Sequence, residues 1–283
     1  MKIIESINKL RAEIREWRSQ QHTIAFVPTM GNLHAGHLQL VERAKTLADK
    51  VVVSIFVNPL QFGANEDFDK YPRTLQQDAE KLALLNTDLV FYPQVAEIYP
   101  RGMSDLTQVI VPDALKNTLC GKSRPGHFDG VATVVNLLFQ LVQPDKSLFG
   151  LKDFQQFLVV QRMVTDLHIP VEIIGVPTVR EADGLAMSSR NQYLTPEERH
   201  RAPRLFHSLQ QLQQQISSGQ KNYVALCADR QKELQQQGFK VDYLTVRRQQ
   251  DLAEATPEDT AVIILVAAGL GTTRLIDNLP YHL

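Results

Sequence analysis

The apolar positions of the chain alternate between short continuous runs and longer periodic stretches. Ile7, Leu10, Ile14 and Trp17 recur at three- and four-residue steps, which predicts a helix over 3–17. The run at 24–27 ends at Pro28 and reads as a buried strand. After a glycine-containing turn, Leu40, Val41, Ala44 and Leu47 predict a helix over 38–48, and 51–57 follows as a second buried strand. The alternation continues with helices at 75–85, 132–141 and 154–167, and strands at 89–92, 147–149 and 171–176. Strands separated by helices are accommodated by a mainly parallel sheet covered on both faces. Residues 1–178 are therefore expected to form a Rossmann-like, doubly wound α/β domain.

Beyond residue 178 the texture changes. Two glutamine-rich stretches with helical periodicity, 204–217 and 223–237, precede strand-like segments at 240–246, 261–268 and 274–276. A smaller C-terminal α+β domain over 179–283 is expected. Leu209, Leu212, Leu226 and Leu234 maintain helical faces, so the glutamines read as solvated helix surface rather than a low-complexity tract.

Composition narrows the function classes. The 283 residues are 43% hydrophobic and 22% charged, as in ordinary globular proteins, and the formal net charge is -1. No global cationic field draws the chain to nucleic acid or to an anionic membrane, so small-molecule chemistry is favoured. The strongest apolar runs, 51–57 and 261–268, are far shorter than the roughly 20 residues needed to cross a bilayer. Charged residues interrupt the first 17 positions, unlike a signal peptide, and a cytoplasmic location is expected. Cys120 and Cys227 are far apart without CxxC spacing and read as buried or incidental thiols.

The segment Pro28-Thr-Met-Gly-Asn-Leu-His-Ala-Gly-His37 lies between a predicted strand and a predicted helix. In a parallel sheet this junction falls at the carboxyl edge, where ligands bind, and the helix start offers unpaired N–H groups with a partial positive charge. An anion suits such a place. Gly31 and Gly36 allow close backbone approach, while His34 and His37, three apart, could donate to phosphate oxygens. A zinc pair and a merely structural pair are the competing readings of an HxxH spacing. No carboxylate adjoins the two histidines in the zinc-protease manner, and no GxGxxG or GxxxxGK[ST] follows any predicted strand.

Strand–HxGH–helix resembles the HIGH-type nucleotidyltransferases, and the longer PTMGNLHAGH is similar to the pantothenate synthetase family. Further blocks resemble that family in order: Ser54 to Phe62 (SIFVNPLQF), Tyr71-Pro-Arg-Thr74, Arg124-Pro-Gly-His-Phe-Asp-Gly-Val131, Gly150-Leu-Lys-Asp-Phe-Gln-Gln156, Asp183-Gly-Leu-Ala-Met-Ser-Ser-Arg-Asn191 and Thr273-Arg-Leu-Ile-Asp-Asn278. The resemblance implies ATP-dependent condensation of pantoate with β-alanine, through a pantoyl-adenylate, releasing AMP and pyrophosphate. It implies ATP contacts from Met30, Gly31, Asn32, Leu33, His34, Ala35, Gly36, His37, Gly150, Leu151, Lys152, Asp153, Val179, Met187, Ser188, Ser189 and Arg190. Of these, His34, His37, Lys152 and Arg190 are the expected catalytic groups.

The resemblance further implies that Gln61 and Gln156 hold pantoate, that Asp78 lies near a Mg²⁺ site, and that the chain forms a homodimer. Met187 to Arg190 resembles a flexible loop that closes over the nucleotide. One position departs from the family pattern: Leu151 stands where glutamate is usual, and activity is expected to survive this change.

Overall fold

The computed structural model describes residues 1–63 and 66–282, and the chain divides into two compact units. The first comprises Met1–Leu151 and Val159–Val176, and the second comprises Lys152–Leu158 and Pro177–Leu283.

The first unit is built on six parallel strands: β1 (Lys2–Ile4), β2 (Ile24–Thr29), β3 (Lys50–Ile55), β4 (Leu89–Phe91), β5 (Lys146–Gly150) and β6 (Glu172–Val176). Their spatial order is β1-β4-β3-β2-β5-β6. The run Ile24–Val27 is apolar at every position because both faces of its strand are covered. Ala25 and Val27 pack in a cluster with Leu40, Val41 and Ala44 of the helix Ala35–Lys45. Phe26, one residue out of phase, instead meets Phe139 of the helix His127–Val142, with ring centroids 6.2 Å apart.

The expected helix over 3–17 begins later than its periodicity indicates. Lys2–Ile4 pairs with Leu89–Phe91 as an edge strand, and the helix runs over Ile7–Ser19 behind an N-cap in which Ser6 Oγ accepts the Lys9 N–H. A three-residue strand is too short to display a period of its own. The expected helix over 132–141, by contrast, starts earlier, at His127, after Gly126 in a left-handed conformation.

The second unit contains a three-stranded antiparallel sheet in the order β7-β8-β9, formed by β7 (Lys240–Arg248), β8 (Ala261–Leu270) and β9 (Thr273–His282). The helices Arg204–Ser217 and Tyr223–Gln236 bury Leu205, Leu209, Leu212, Leu226 and Leu234 in one cluster with Val262, Ile264 and Val266 of β8. The glutamines lie between these leucines along the helices, as the sequence pattern requires. Among the described residues no helix is long and apolar enough to cross a membrane.

Candidate active site

The strand order reverses between β2 and β5: β3 and β4 lie on one side of this pair, β6 on the other. In doubly wound sheets the crevice at such a reversal is where ligands bind, beyond the carboxyl ends of the strands. The segments leaving those two ends are Met30–His34 and Leu151–Asp153, the latter a 3-10 turn that follows Gly150 directly.

The loop after β2 is rigidly held. Thr29 donates its hydroxyl to the Ser54 carbonyl at 2.7 Å and accepts the Gly31 N–H. Gly31 has φ +83°, and a Cβ there would lie 3.0 Å from the Ile55 side chain and 3.2 Å from Asp78 Oδ2. Beneath the loop, the fully buried Asp78 accepts the Asn32 N–H on Oδ2 and the Leu33 N–H on Oδ1, both at 2.8 Å. The Thr74 hydroxyl donates to the same carboxylate, and Lys81 Nζ donates to the Leu33 carbonyl at 2.7 Å.

His34 and His37 form the entry to the helix Ala35–Lys45. His34 is its N-cap, and the two side chains make a reciprocal capping box in which His34 Nδ1 accepts from Gly36 and His37 Nδ1 accepts from His34. A ring nitrogen that accepts a backbone N–H cannot also carry a proton. In both neutral imidazoles the proton therefore resides on Nε2. The ring centroids lie 4.1 Å apart with their planes tilted by 36°, at a helix start whose dipole favours an anion.

Gln61 is set by a second cluster of the first unit. Its side chain donates to Met30 Sδ at 3.1 Å and accepts from Asn58 Nδ2 at 3.2 Å. Asn58, 1% exposed, also donates to the Gly130 carbonyl and accepts the Tyr99 hydroxyl at 2.7 Å. Burial pushes the Tyr99 hydroxyl well above the usual tyrosine range, so it remains a donor. His127 Nδ1–H donates to the Gln61 carbonyl at 2.8 Å, which leaves Nε2 to accept from Arg124 Nη1 at 3.0 Å. Arg124 also binds Glu66, and although burial raises that carboxyl, the guanidinium holds it below its ordinary range. Gly130 makes the close packing possible, since a Cβ there would meet the Leu60 carbonyl oxygen at 2.3 Å.

In the second unit, Lys152 Nζ lies 3.3 Å from Asp153 Oδ2. Val179 and Met187 are hydrogen-bonded partners, the Met187 N–H donating to the Val179 carbonyl at 3.0 Å, and Arg180 bridges Ala186 inside the same hairpin. Arg199 grips the hairpin's outer side, with one guanidinium nitrogen 2.6 Å from Glu181 and the other 2.6 Å from Asp183. The Asp183 carboxyl is held below its ordinary value, first by its hydrogen bond to Arg199. Ser188 caps a 3-10 helix over Ser189–Tyr193 by accepting the Arg190 N–H. The loop expected from Met187 to Arg190 thus contains a capped turn.

Met30 to His37, Gln61, Asp78, Gly150 and Leu151 fall in the first unit. Lys152, Asp153, Gln156, Val179 and Met187 to Arg190 fall in the second. Asp78 departs from its expected place beside a metal. It is fully buried, and its oxygens are committed to the backbone of the histidine loop. Among the described residues no group of three or more His, Cys, Asp or Glu side chains is arranged to hold a metal ion. The blocks Ser54 to Phe62 and Arg124 to Val131 contain Asn58, Arg124 and His127, but no motif spacing marks these three individually. A polar residue enclosed by apolar ones, as Asn58 is in Phe-Val-Asn-Pro-Leu, was the available signal.

Fold and site together define an α/β protein with an anion-accepting helix start at the reversal point of a doubly wound sheet. The profile of the pantoate-beta-alanine ligase family matches residues 2–280. The pantothenate synthetase of Pseudomonas putida is 54% identical over 283 residues, covering 100% of this chain and 98% of its own. That of Chromohalobacter salexigens is 56% identical, covering 100% and 99%. The crystal structure of pantothenate synthetase from Thermus thermophilus matches with a TM-score of 0.92 and 45% identity, over 99% of both chains. A pantoate-beta-alanine ligase from Francisella tularensis, complexed with beta-gamma ATP and beta-alanine, matches with a TM-score of 0.82 and 36% identity, over 99% of this chain and 97% of that one. The chain belongs to the pantoate-beta-alanine ligase family, and it is an enzyme of the ligase class.

Proposed function

We propose that the enzyme uses ATP to join (R)-pantoate to β-alanine through a pantoyl-adenylate, yielding pantothenate, AMP and pyrophosphate. The observation that carries the ATP reading is the paired imidazole cap. His34 and His37 both engage the backbone through Nδ1 at a helix N-terminus, which puts the imidazole proton on Nε2. The family's name identifies the acid and the amine, and the Francisella tularensis relative is a complex with a nucleotide and beta-alanine.

A carboxylate is unreactive toward an amine because its oxide cannot leave. In the first step a pantoate carboxylate oxygen attacks the α-phosphorus of ATP, and the bond to the pyrophosphate oxygen breaks. Charge grows on the α-phosphate and the departing pyrophosphate, where His34, His37, Lys152 and Arg190 supply preorganised donors. Gln61 and Gln156 orient pantoate through amides that donate and accept without neutralising its carboxylate. Gly150, Leu151, Asp153, Val179, Met187, Ser188 and Ser189, with the loop Met30 to Gly36, make up the remaining nucleotide contacts. In the second step the neutral β-alanine amine attacks the acyl carbon and AMP leaves. Shielding the mixed anhydride from water is the role proposed for the C-terminal domain over 179–283, closing on the nucleotide.

Mg²⁺ is expected to accompany ATP, held by phosphate oxygens and water. Asp78 does not fit as its ligand, for the reasons of burial and hydrogen bonding already given. The enzyme is further proposed to act as a cytoplasmic homodimer on small molecules alone, without nucleic acid or membrane partners.

Isotope exchange between pyrophosphate and ATP tests the reading. Exchange that requires pantoate but not β-alanine is expected, with AMP appearing stoichiometrically with pantothenate once β-alanine is added. Formation of ADP and phosphate instead would overturn the adenylate.

A further inference from the structure

The block Thr273 to Asn278 has no part in the reaction as proposed above, yet it contains two of the most enclosed polar side chains of the second unit. Asp277 and Asn278 are 4% and 3% exposed, on β9, which lies at the edge of its sheet. Successive residues of a strand point to opposite faces, so one strand reaches in two directions from these two positions.

Asp277 holds Arg180. Its two oxygens accept from the two terminal guanidinium nitrogens at 2.7 and 2.9 Å, a bidentate pairing that fixes orientation as well as distance. Arg180 also donates to the Gly184 and Asn278 carbonyls, at 3.1 and 3.3 Å, and its guanidinium carbon lies 3.5 Å from the Phe206 ring centroid. Gly184, at φ +92°, leaves room for that ring, since a Cβ would come within 2.9 Å of it. Arg180 is thus bound to the tip of its own hairpin, to a ring and to β9, and its neighbours along the chain include Val179 and, across the hairpin, Met187. Burial pushes the Asp277 carboxyl up, and the Arg180 guanidinium opposes that shift. Asn278 holds the other segment, its side-chain amide donating to the Lys152 carbonyl at 2.8 Å.

Burying a charge pair is costly, and apolar side chains of similar volume often stabilise a fold as well or better. What the pair supplies here is fixed direction. We propose that Asp277 and Asn278 are positioning residues of the adenylation step. Asp277 sets the Val179–Met187 hairpin through Arg180, and Asn278 sets the Lys152 ammonium through its own backbone. The inference rests on the assignment of Lys152, Val179 and Met187 to ATP made above.

A double-mutant cycle tests it by pantoate-dependent pyrophosphate exchange. Asn278→Ala is expected to lower kcat about tenfold, the scale of a small misplacement of a reacting group, while the KM for pantoate stays near wild type. In a Lys152→Ala background the same change is expected to have no further effect, because the ammonium it places is gone. Arg180→Lys keeps the charge but loses the fork, and is expected to raise the KM for ATP about tenfold. If Asn278→Ala does not fold, Asn278→Ser enters the same cycle with the same expectation of coupling. Losses from Asn278 and Lys152 that multiply independently, or full activity of Asn278→Ala beside an impaired Lys152→Ala, would overturn the proposal alone. A fully active Lys152→Ala would overturn both the proposal and the phosphate assignment on which it rests.

Discussion

Asp78 Oδ1 accepts the backbone N–H of Leu33 at 2.8 Å across a sequence separation of 45, and Oδ2 does the same for Asn32. A carboxylate from one helix thereby replaces water beneath the loop that carries both histidines. Asp78→Ala leaves two backbone donors unsatisfied in a buried place, each worth about 1–3 kcal/mol. A marked drop in the urea midpoint is expected, together with a loss of at least about tenfold in kcat/KM for ATP if the loop shifts. Asp78→Asn keeps the shape and one acceptor, and its loss of stability is expected to be smaller. The magnesium concentration giving half-maximal rate is expected to be unchanged in Asp78→Asn; a large shift would return Asp78 to the metal.

The N-cap of His34 and the phosphate contact proposed for it can be separated by substitution. Asparagine is a good N-cap but places no donor where Nε2 stands. His34→Asn is expected to retain wild-type stability and to lose about 10²-fold in exchange rate, the scale of one removed transition-state donor. His34→Ala is expected to lose the same activity and, in addition, about 1 kcal/mol of stability from the lost cap. Thermal unfolding beside exchange kinetics distinguishes the two, and equal activities of wild type and His34→Asn would remove the imidazole from the chemistry.

Leu151 opens the 3-10 turn after β5, half-buried, at the position where the family resemblance implies glutamate. Leu151→Glu is expected to change the KM for ATP by less than about threefold, because the donors proposed to meet the phosphates, His34, His37, Lys152 and Arg190, are all retained. Steady-state kinetics at saturating pantoate measures this directly. A large gain in affinity would show that the carboxylate has a nucleotide contact which this chain lacks.

Cys227 provides a pH-dependent prediction. Burial raises its thiol to about 11, above the ordinary thiol range near 8.5. The folded protein therefore keeps the proton at pH values where the unfolded chain releases it. This contribution to stability is complete below the ordinary range and disappears as pH rises toward about 11. The difference in urea midpoint between wild type and Cys227→Ala is expected to narrow between neutral and alkaline pH. Native Cys227 is expected to resist a thiol reagent at pH 8 until the chain unfolds.

Much of the architecture was legible because it is local. Val51–Val53 is continuously apolar because parallel strands are buried on both faces, and Leu205, Leu209 and Leu212 repeat at helical spacing because one face of their helix meets β8. The edge strand Lys2–Ile4 was hidden inside a helical period, since its only cause is a neighbour, Leu89–Phe91, far along the chain. The histidine cap was legible in spacing and position. The proton location on Nε2 required the geometry of its backbone donors.

The sequence by itself determined the alternating α/β pattern, the anion-favouring helix start after β2, and the family to which the chain belongs. These depend on the order and spacing of residues along one segment at a time. Only the tertiary structure decided the task of Asp78, the clamp of Asn58 and His127 on Gln61, and the reach of Asp277 and Asn278 to Arg180 and Lys152. Each depends on buried polar atoms finding partners from segments remote in sequence. Directional hydrogen bonds of that kind form only once hydrophobic packing has fixed the segments in place.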